Sequence, residues 1–101
     1  MNLKNKKILI TGATGGIGYS LVKKFYELGS IVLATGTNLD KLNKLKEEFK
    51  NIKIKSFKLD HHQEIEKFID SCHVELDGID VLINNAGITL DNLSIRLTDE
   101  N

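Results

Sequence analysis

The sequence predicts an α/β fold with a doubly wound parallel sheet, on three observations. Short apolar, β-branched runs alternate with longer stretches of helical periodicity, turns rich in Gly, Asn or Asp separate most of these units, and the connections are short. The order is βαβαβαβ. Such an order implies parallel strands joined by right-handed crossovers, with strand order 3-2-1-4.

The first strand is Lys7-Ile8-Leu9-Ile10, continuously apolar after its lysine, as suits a strand buried on both faces. Thr11-Gly12-Ala13-Thr14-Gly15-Gly16-Ile17-Gly18 then turns the chain into a helix. Ile17, Leu21, Val22, Phe25 and Leu28 recur at helical spacing, and Gly29 is placed as its stop. Ser30 to Ala34 is the second strand. Thr35-Gly36-Thr37-Asn38 supplies a turn and a capping residue for a second helix, whose apolar stripe is Leu39, Leu42, Leu45 and Phe49. Ile52, Ile54 and Phe57 alternate with Lys53, Lys55 and Lys58 in a third strand ending near Leu59, lysine-rich as suits a sheet edge. Asp60-His61-His62-Gln63 breaks the pattern. Ile65, Phe68, Ile69, Cys72 and Leu76 give a third amphipathic helix, ended by Asp77-Gly78, and Ile79 to Ile83 is a central fourth strand followed by Asn84-Asn85-Ala86-Gly87. With no strand assigned beyond it, the fourth strand is expected to present an apolar edge, hence marginal stability and association. Thr98 to Asn101 reads as an interrupted helix start, which leans toward truncation.

The stretch from Thr11 to Gly18 is suited to hold a phosphate. Gly12 permits a sharp turn, Gly15 and Gly16 leave room for a ligand against bare backbone, and Gly18 lets the helix pack closely on the sheet. The helix N-terminus adds unpaired N–H groups and partial positive charge, which suits a dinucleotide pyrophosphate. The G-x-G-x-x-G fingerprint is absent, and no Lys-Ser/Thr pair follows the glycines, which excludes a P-loop.

Composition narrows the partners. The 101 residues make one small domain, and fourteen basic and fourteen acidic residues cancel, so nothing points to nucleic acid or an anionic membrane. Cys72 is the single cysteine, which excludes an intrachain disulfide and is compatible with a reducing compartment. The apolar run near the N-terminus is broken by Thr11-Gly12 before a signal-peptide core or membrane span could form, so a cytoplasmic location is expected.

Two motifs together resemble the classical short-chain dehydrogenase/reductase family. Thr11 to Gly18 is similar to its T-G-x-x-x-G-I-G turn, although Gly12, Gly15 and Gly18 also fit the G-x-x-G-x-x-G spacing of an extended branch. Asn84 to Gly87 is similar to its N-N-A-G motif, which favours the classical branch. The continuation N-N-A-G-I-T-x-D-N-L-x-x-R resembles the 3-oxoacyl-[acyl-carrier-protein] reductases of type II fatty acid synthesis. The resemblance implies that Gly12, Thr14, Gly16, Ile17 and Gly18 surround a nicotinamide dinucleotide's pyrophosphate and ribose. It implies that Asp60 and His61 meet the adenine, and that Asn84, Ala86 and Gly87 line the path to the nicotinamide. At the end of the second strand there is no acid until Asp40, and Thr14, Thr37 and Asn38 can donate hydrogen bonds, which favours NADP(H) over NAD(H). The basic residue that some family members carry before the second motif glycine is here Gly15.

The resemblance also implies a full-length oxidoreductase that assembles as a homo-oligomer, takes an acyl-carrier-protein thioester and reduces its 3-oxo group. Its serine, tyrosine and lysine would lie downstream, so this chain is expected to be a catalytically incomplete cofactor-binding portion. The alternative is a non-catalytic truncated product, a weak nucleotide-binding or interaction module. Tyr19 and Lys23 spell Y-x-x-x-K, but they follow the glycine turn directly and read as an ordinary helical pair. His61, His62, Cys72 and His73 lack zinc-ligand spacing, so no metal is expected.

Overall fold

The computed structural model describes residues 2–57, 62–85 and 94–97. Its elements are β1 (Lys7–Thr11), α1 (Gly16–Glu27), β2 (Ile31–Gly36), α2 (Leu39–Glu48), β3 (Lys53–Ser56), α3 (His62–Leu76), β4 (Val81–Asn84) and β5 (Ser94–Leu97). They form one sheet of order β3-β2-β1-β4-β5. The first four strands run parallel in the predicted order, with Ile8 level with Val32 on one side and with Val81 on the other.

Both faces of the sheet are covered, and the period of two along each strand decides which residue goes where. Ile8, Ile10, Val32, Ala34, Val81 and Ile83 pack with Val22 of α1 and with Leu42 and Leu45 of α2. Leu9 and Leu33 point the other way, onto Phe68, Cys72 and Leu76 of α3. Ile8, Leu9, Ile10, Leu33 and Ile83 are fully buried, and each such side chain contributes about 1.5–3 kcal/mol. The central strands therefore form a rigid base whose C-terminal ends can hold a site. Burial pushes the Cys72 thiol up to about 11, which keeps it a neutral core group rather than a nucleophile.

Four expectations need adjustment. Ile17 is 63% exposed, Leu28 41% and Leu39 51%, so the core stripe of α1 excludes both ends of its predicted apolar row and that of α2 excludes its first residue. Thr35 and Gly36 belong to β2 rather than to a turn, because they pair with Lys55 and Ser56 of β3. The third strand is shorter than predicted, and residues 58–61 lie outside the described residues. The fourth strand is not an open edge: β5 pairs with it antiparallel, Val81 level with Leu97 and Asn84 with Ser94. Leu93-Ser94-Ile95-Arg96-Leu97 alternates in sequence as a short strand does, a signal outweighed by the polar residues before it. Pairing along β4 removes the reason given for association through its edge. The Thr98 to Asn101 helix start lies outside the described residues.

The lysines of β3 have a second role. Lys53 Nζ donates to the Glu75 carbonyl oxygen (3.0 Å), and Lys55 Nζ lies 3.4 Å from the Glu75 carboxylate, tying the edge strand to α3. Phe57 stacks on Phe68 at 4.3 Å beneath them.

Candidate functional site

The C-terminal ends of β1, β2 and β4 lie at one edge of the sheet, where ligands bind in open α/β sheets. The β1 to α1 turn carries Gly12 and Thr14, and Gly16, Ile17 and Gly18 open α1; the β2 to α2 turn carries Thr37 and Asn38; Asn84 ends β4. Asp60, His61, Ala86 and Gly87, also expected in the site, lie outside the described residues.

The motif glycines divide by what surrounds them. Gly12 sits at φ 63°, in the left-handed region that glycine tolerates. A Cβ at Gly18 would fall 2.2 Å from the Gly12 carbonyl oxygen and 2.6 Å from Ala13 Cα, so the helix start can approach the turn only without one. Among the described residues, a Cβ at Gly16 would meet nothing within 4 Å, and one at Gly15 only the Gly12 oxygen at 4.0 Å. The chain's own packing thus explains Gly18 but leaves open space at Gly15 and Gly16. That space faces the start of α1, where the N-cap Gly15 offers no side chain and the first turn has no acid. The helix end keeps roughly half a unit of positive charge for an anion. Ile17, exposed beside it, is available as an apolar cover.

Neighbouring strands brace the turn from both sides. Ala13 N donates to the Thr35 carbonyl of β2 at 2.9 Å, and the Thr14 side chain packs over Gly36, whose added Cβ would lie 3.1 Å from Thr14 Cγ2. On the other side the Thr11 hydroxyl donates to Asn84 Oδ1 (2.9 Å) and accepts from Asn85 N (3.0 Å). Asn85 Nδ2 donates to the Gly12 carbonyl oxygen at 3.1 Å. Each such bond has a net value of about 0.5–1.5 kcal/mol. Their larger effect is to fix the Gly12 peptide, and so the direction of the α1 N–H groups. Thr11 and Asn85 are the residues that sequence reasoning missed. Both stand inside the two motifs, but their work is between the strands, which only the β1–β4 register, Thr11 level with Asn84, reveals.

Asn38 performs its predicted capping: its Oδ1 accepts from Lys41 N at 3.1 Å, starting α2. Tyr19 is no proton donor in waiting. Its hydroxyl donates to Glu48, and that bond, with desolvation and the acid's charge, raises its pKa, the opposite of what general-acid work requires. Lys23 is exposed on the same helix. Among the described residues no three His, Cys, Asp or Glu side chains are grouped to hold a metal, and no helix is long and apolar enough to cross a membrane.

Comparison with known proteins converges on this architecture. The family model for short chain dehydrogenase matches residues 6–101. The chain is 37% identical over 98 residues to nodulation protein G of Rhizobium sp. strain N33, covering 96% of this chain and 40% of that protein. It is 37% identical over 101 residues to the 3-oxoacyl-[acyl-carrier-protein] reductase FabG of Rickettsia bellii, covering 99% and 40%. The chain thus spans about two-fifths of the length of the curated relatives it matches. Among solved structures, Cj0485 dehydrogenase superposes with a TM-score of 0.69 at 28% identity, over 84% of this chain and 34% of that one. The oxidoreductase yciK of E. coli superposes with a TM-score of 0.73 at 24% identity, over 86% and 38%, a likeness of fold.

Proposed function

The chain belongs to the short-chain dehydrogenase family, and from that premise we propose that it is the NADP(H)-binding N-terminal portion of a 3-oxoacyl-[acyl-carrier-protein] reductase-like oxidoreductase of the cytoplasm. The observation that carries this reading is the division among the glycines. Gly18 answers to the chain's own backbone, whereas Gly15 and Gly16 border open space at an uncapped helix N-terminus. A pyrophosphate fits the chemistry of that space, held by the N–H groups of the first turn of α1.

The remaining residues fit the same ligand. Gly36, Thr37 and Asn38, where β2 passes into α2, bring no carboxylate against a 2′-phosphate. The Asn38 oxygen is used by its own helix, so its Nδ2 is what it offers a ligand. Asp60 and His61 are proposed for the adenine side, and Asn84, Ala86 and Gly87 for the path to the nicotinamide. When bound, NADPH supplies the hydride that converts a 3-oxoacyl thioester to its 3-hydroxy form. This chain's part is to bind and orient the dinucleotide. The serine, tyrosine and lysine that handle the substrate oxygen and its proton are proposed to come from sequence beyond these 101 residues, in a protein that takes acyl-carrier-protein thioesters and assembles as a homo-oligomer.

The purified chain is expected to bind NADPH saturably, followed by the change in dihydronicotinamide fluorescence, and to show no NADPH oxidation above background with a 3-oxoacyl thioester. Turnover would overturn the division of labour proposed here. Absence of binding would overturn the cofactor reading.

A further inference from the structure

A pocket of about 150 Å3 opens between the glycine turn and α2, lined by Thr14, Tyr19, Lys41, Lys44, Leu45 and Glu48. Thr14 packs over Gly36 at the end of β2, and Lys41 N is held by the Asn38 cap, so the pocket lies beside the passage from the turn to the β2 end. Lys41 and Lys44 are three residues apart and share one face of α2. Both are exposed. The ion pairs among the described residues use Lys7 and Lys55, so neither lysine of the pocket is committed to a carboxylate. The acid present, Glu48, accepts the Tyr19 hydroxyl bond, which turns part of its charge aside. Leu45, buried, is the apolar part of the lining. Two cations against one engaged carboxylate leave the pocket net positive, next to a turn that has no side chain at Gly15 to fill it.

We propose that Lys41 and Lys44, with the Thr14 hydroxyl, form the site that reads the 2′-phosphate of NADP(H), so that the selecting charge comes from the first two turns of α2 instead of from the glycine turn. This assignment rests on the NADP(H) reading above. A phosphate monoester carries up to two negative charges and several acceptor oxygens, which suits two ammonium groups and a hydroxyl donor. NADH lacks that group and gains nothing from the lysines, so they act on selectivity rather than on binding in general.

The test is a fluorescence titration of NADPH and of NADH into the 101-residue chain and into Lys41→Gln, Lys44→Gln and the double variant. Glutamine keeps helix propensity, and both sites are exposed, so circular dichroism should be unchanged. The wild-type chain is expected to bind NADPH more tightly than NADH. Each substitution should weaken NADPH about tenfold, the size of one charge-assisted hydrogen bond, and leave the NADH dissociation constant where it was. The NADPH preference should also shrink as salt is raised in the wild type, and much less in the double variant. A double variant that keeps the wild-type preference would overturn the lysine assignment while the NADP(H) reading stands. A wild-type chain that binds both dinucleotides equally, or neither, would overturn both.

Discussion

Replacing Gly18 by alanine is expected to lower the thermal midpoint of the chain by roughly 10–20 °C, through a loss on the order of 3 kcal/mol. The added methyl would lie 2.2 Å from the Gly12 oxygen, 2.6 Å from Ala13 Cα and 2.8 Å from the Ala13 carbonyl carbon. All three are backbone atoms, so no side chain can swing away; either α1 lifts from the sheet or the turn deforms. The turn is held by Ala13 N on Thr35 and by Asn85 Nδ2 on Gly12, so deformation also loosens these bonds. The helix propensity gained by alanine, up to about 1 kcal/mol, offsets only part of this. Thermal unfolding followed by circular dichroism checks the expectation, and a midpoint equal to or above the wild type would show that the turn is looser than described.

The same substitution two residues earlier should do the reverse. Gly16→Ala places its methyl where, among the described residues, nothing outside its own helical turn lies within 4 Å, at the first residue of α1. Stability is expected to stay level or rise by a few tenths of a kcal/mol, because the unfolded chain loses freedom. Affinity for a nicotinamide dinucleotide is expected to fall at least about tenfold, or ~1.4 kcal/mol, because the methyl stands between the pyrophosphate and the backbone N–H groups that would hold it. Calorimetric titration of the variant measures this directly. Unchanged affinity in a folded Gly16→Ala chain would mean that the open space at Gly16 is not where the dinucleotide lies.

This contrast between two glycines also marks how far the sequence could be read. The strand order, the helix cap at Asn38 and the glycine turn all follow from local patterns: β-branched runs, the stop at Gly29, and an Asx residue before a leucine stripe. What escaped was non-local. Thr11 and Asn85 are brought together by the pairing of β1 with β4, across more than seventy residues of chain. Lys53 and Lys55 read as edge protection, yet they reach Glu75 near the C-terminal end of α3, twenty or more residues along the chain and beyond what local patterns show. Ile17 fits the helical period, yet it is left exposed while Gly18 beside it is buried against the turn. Lys41 and Lys44 look like part of an ordinary solvated face until Thr14 of the turn and Tyr19 of α1 are set against them. β5 was hidden because the polar residues before it outweighed the short alternation of Leu93 to Leu97.

The most direct test of the account is an amide NMR titration of the isotope-labelled chain with NADPH. The account predicts that shift changes concentrate at Gly15, Gly16, Ile17 and Gly18, extend to Thr37, Asn38 and Asn84, and leave Ser30 and Asp80 at the opposite ends of the strands unmoved. Saturable changes centred on those opposite ends, or none at the glycine turn, would contradict it.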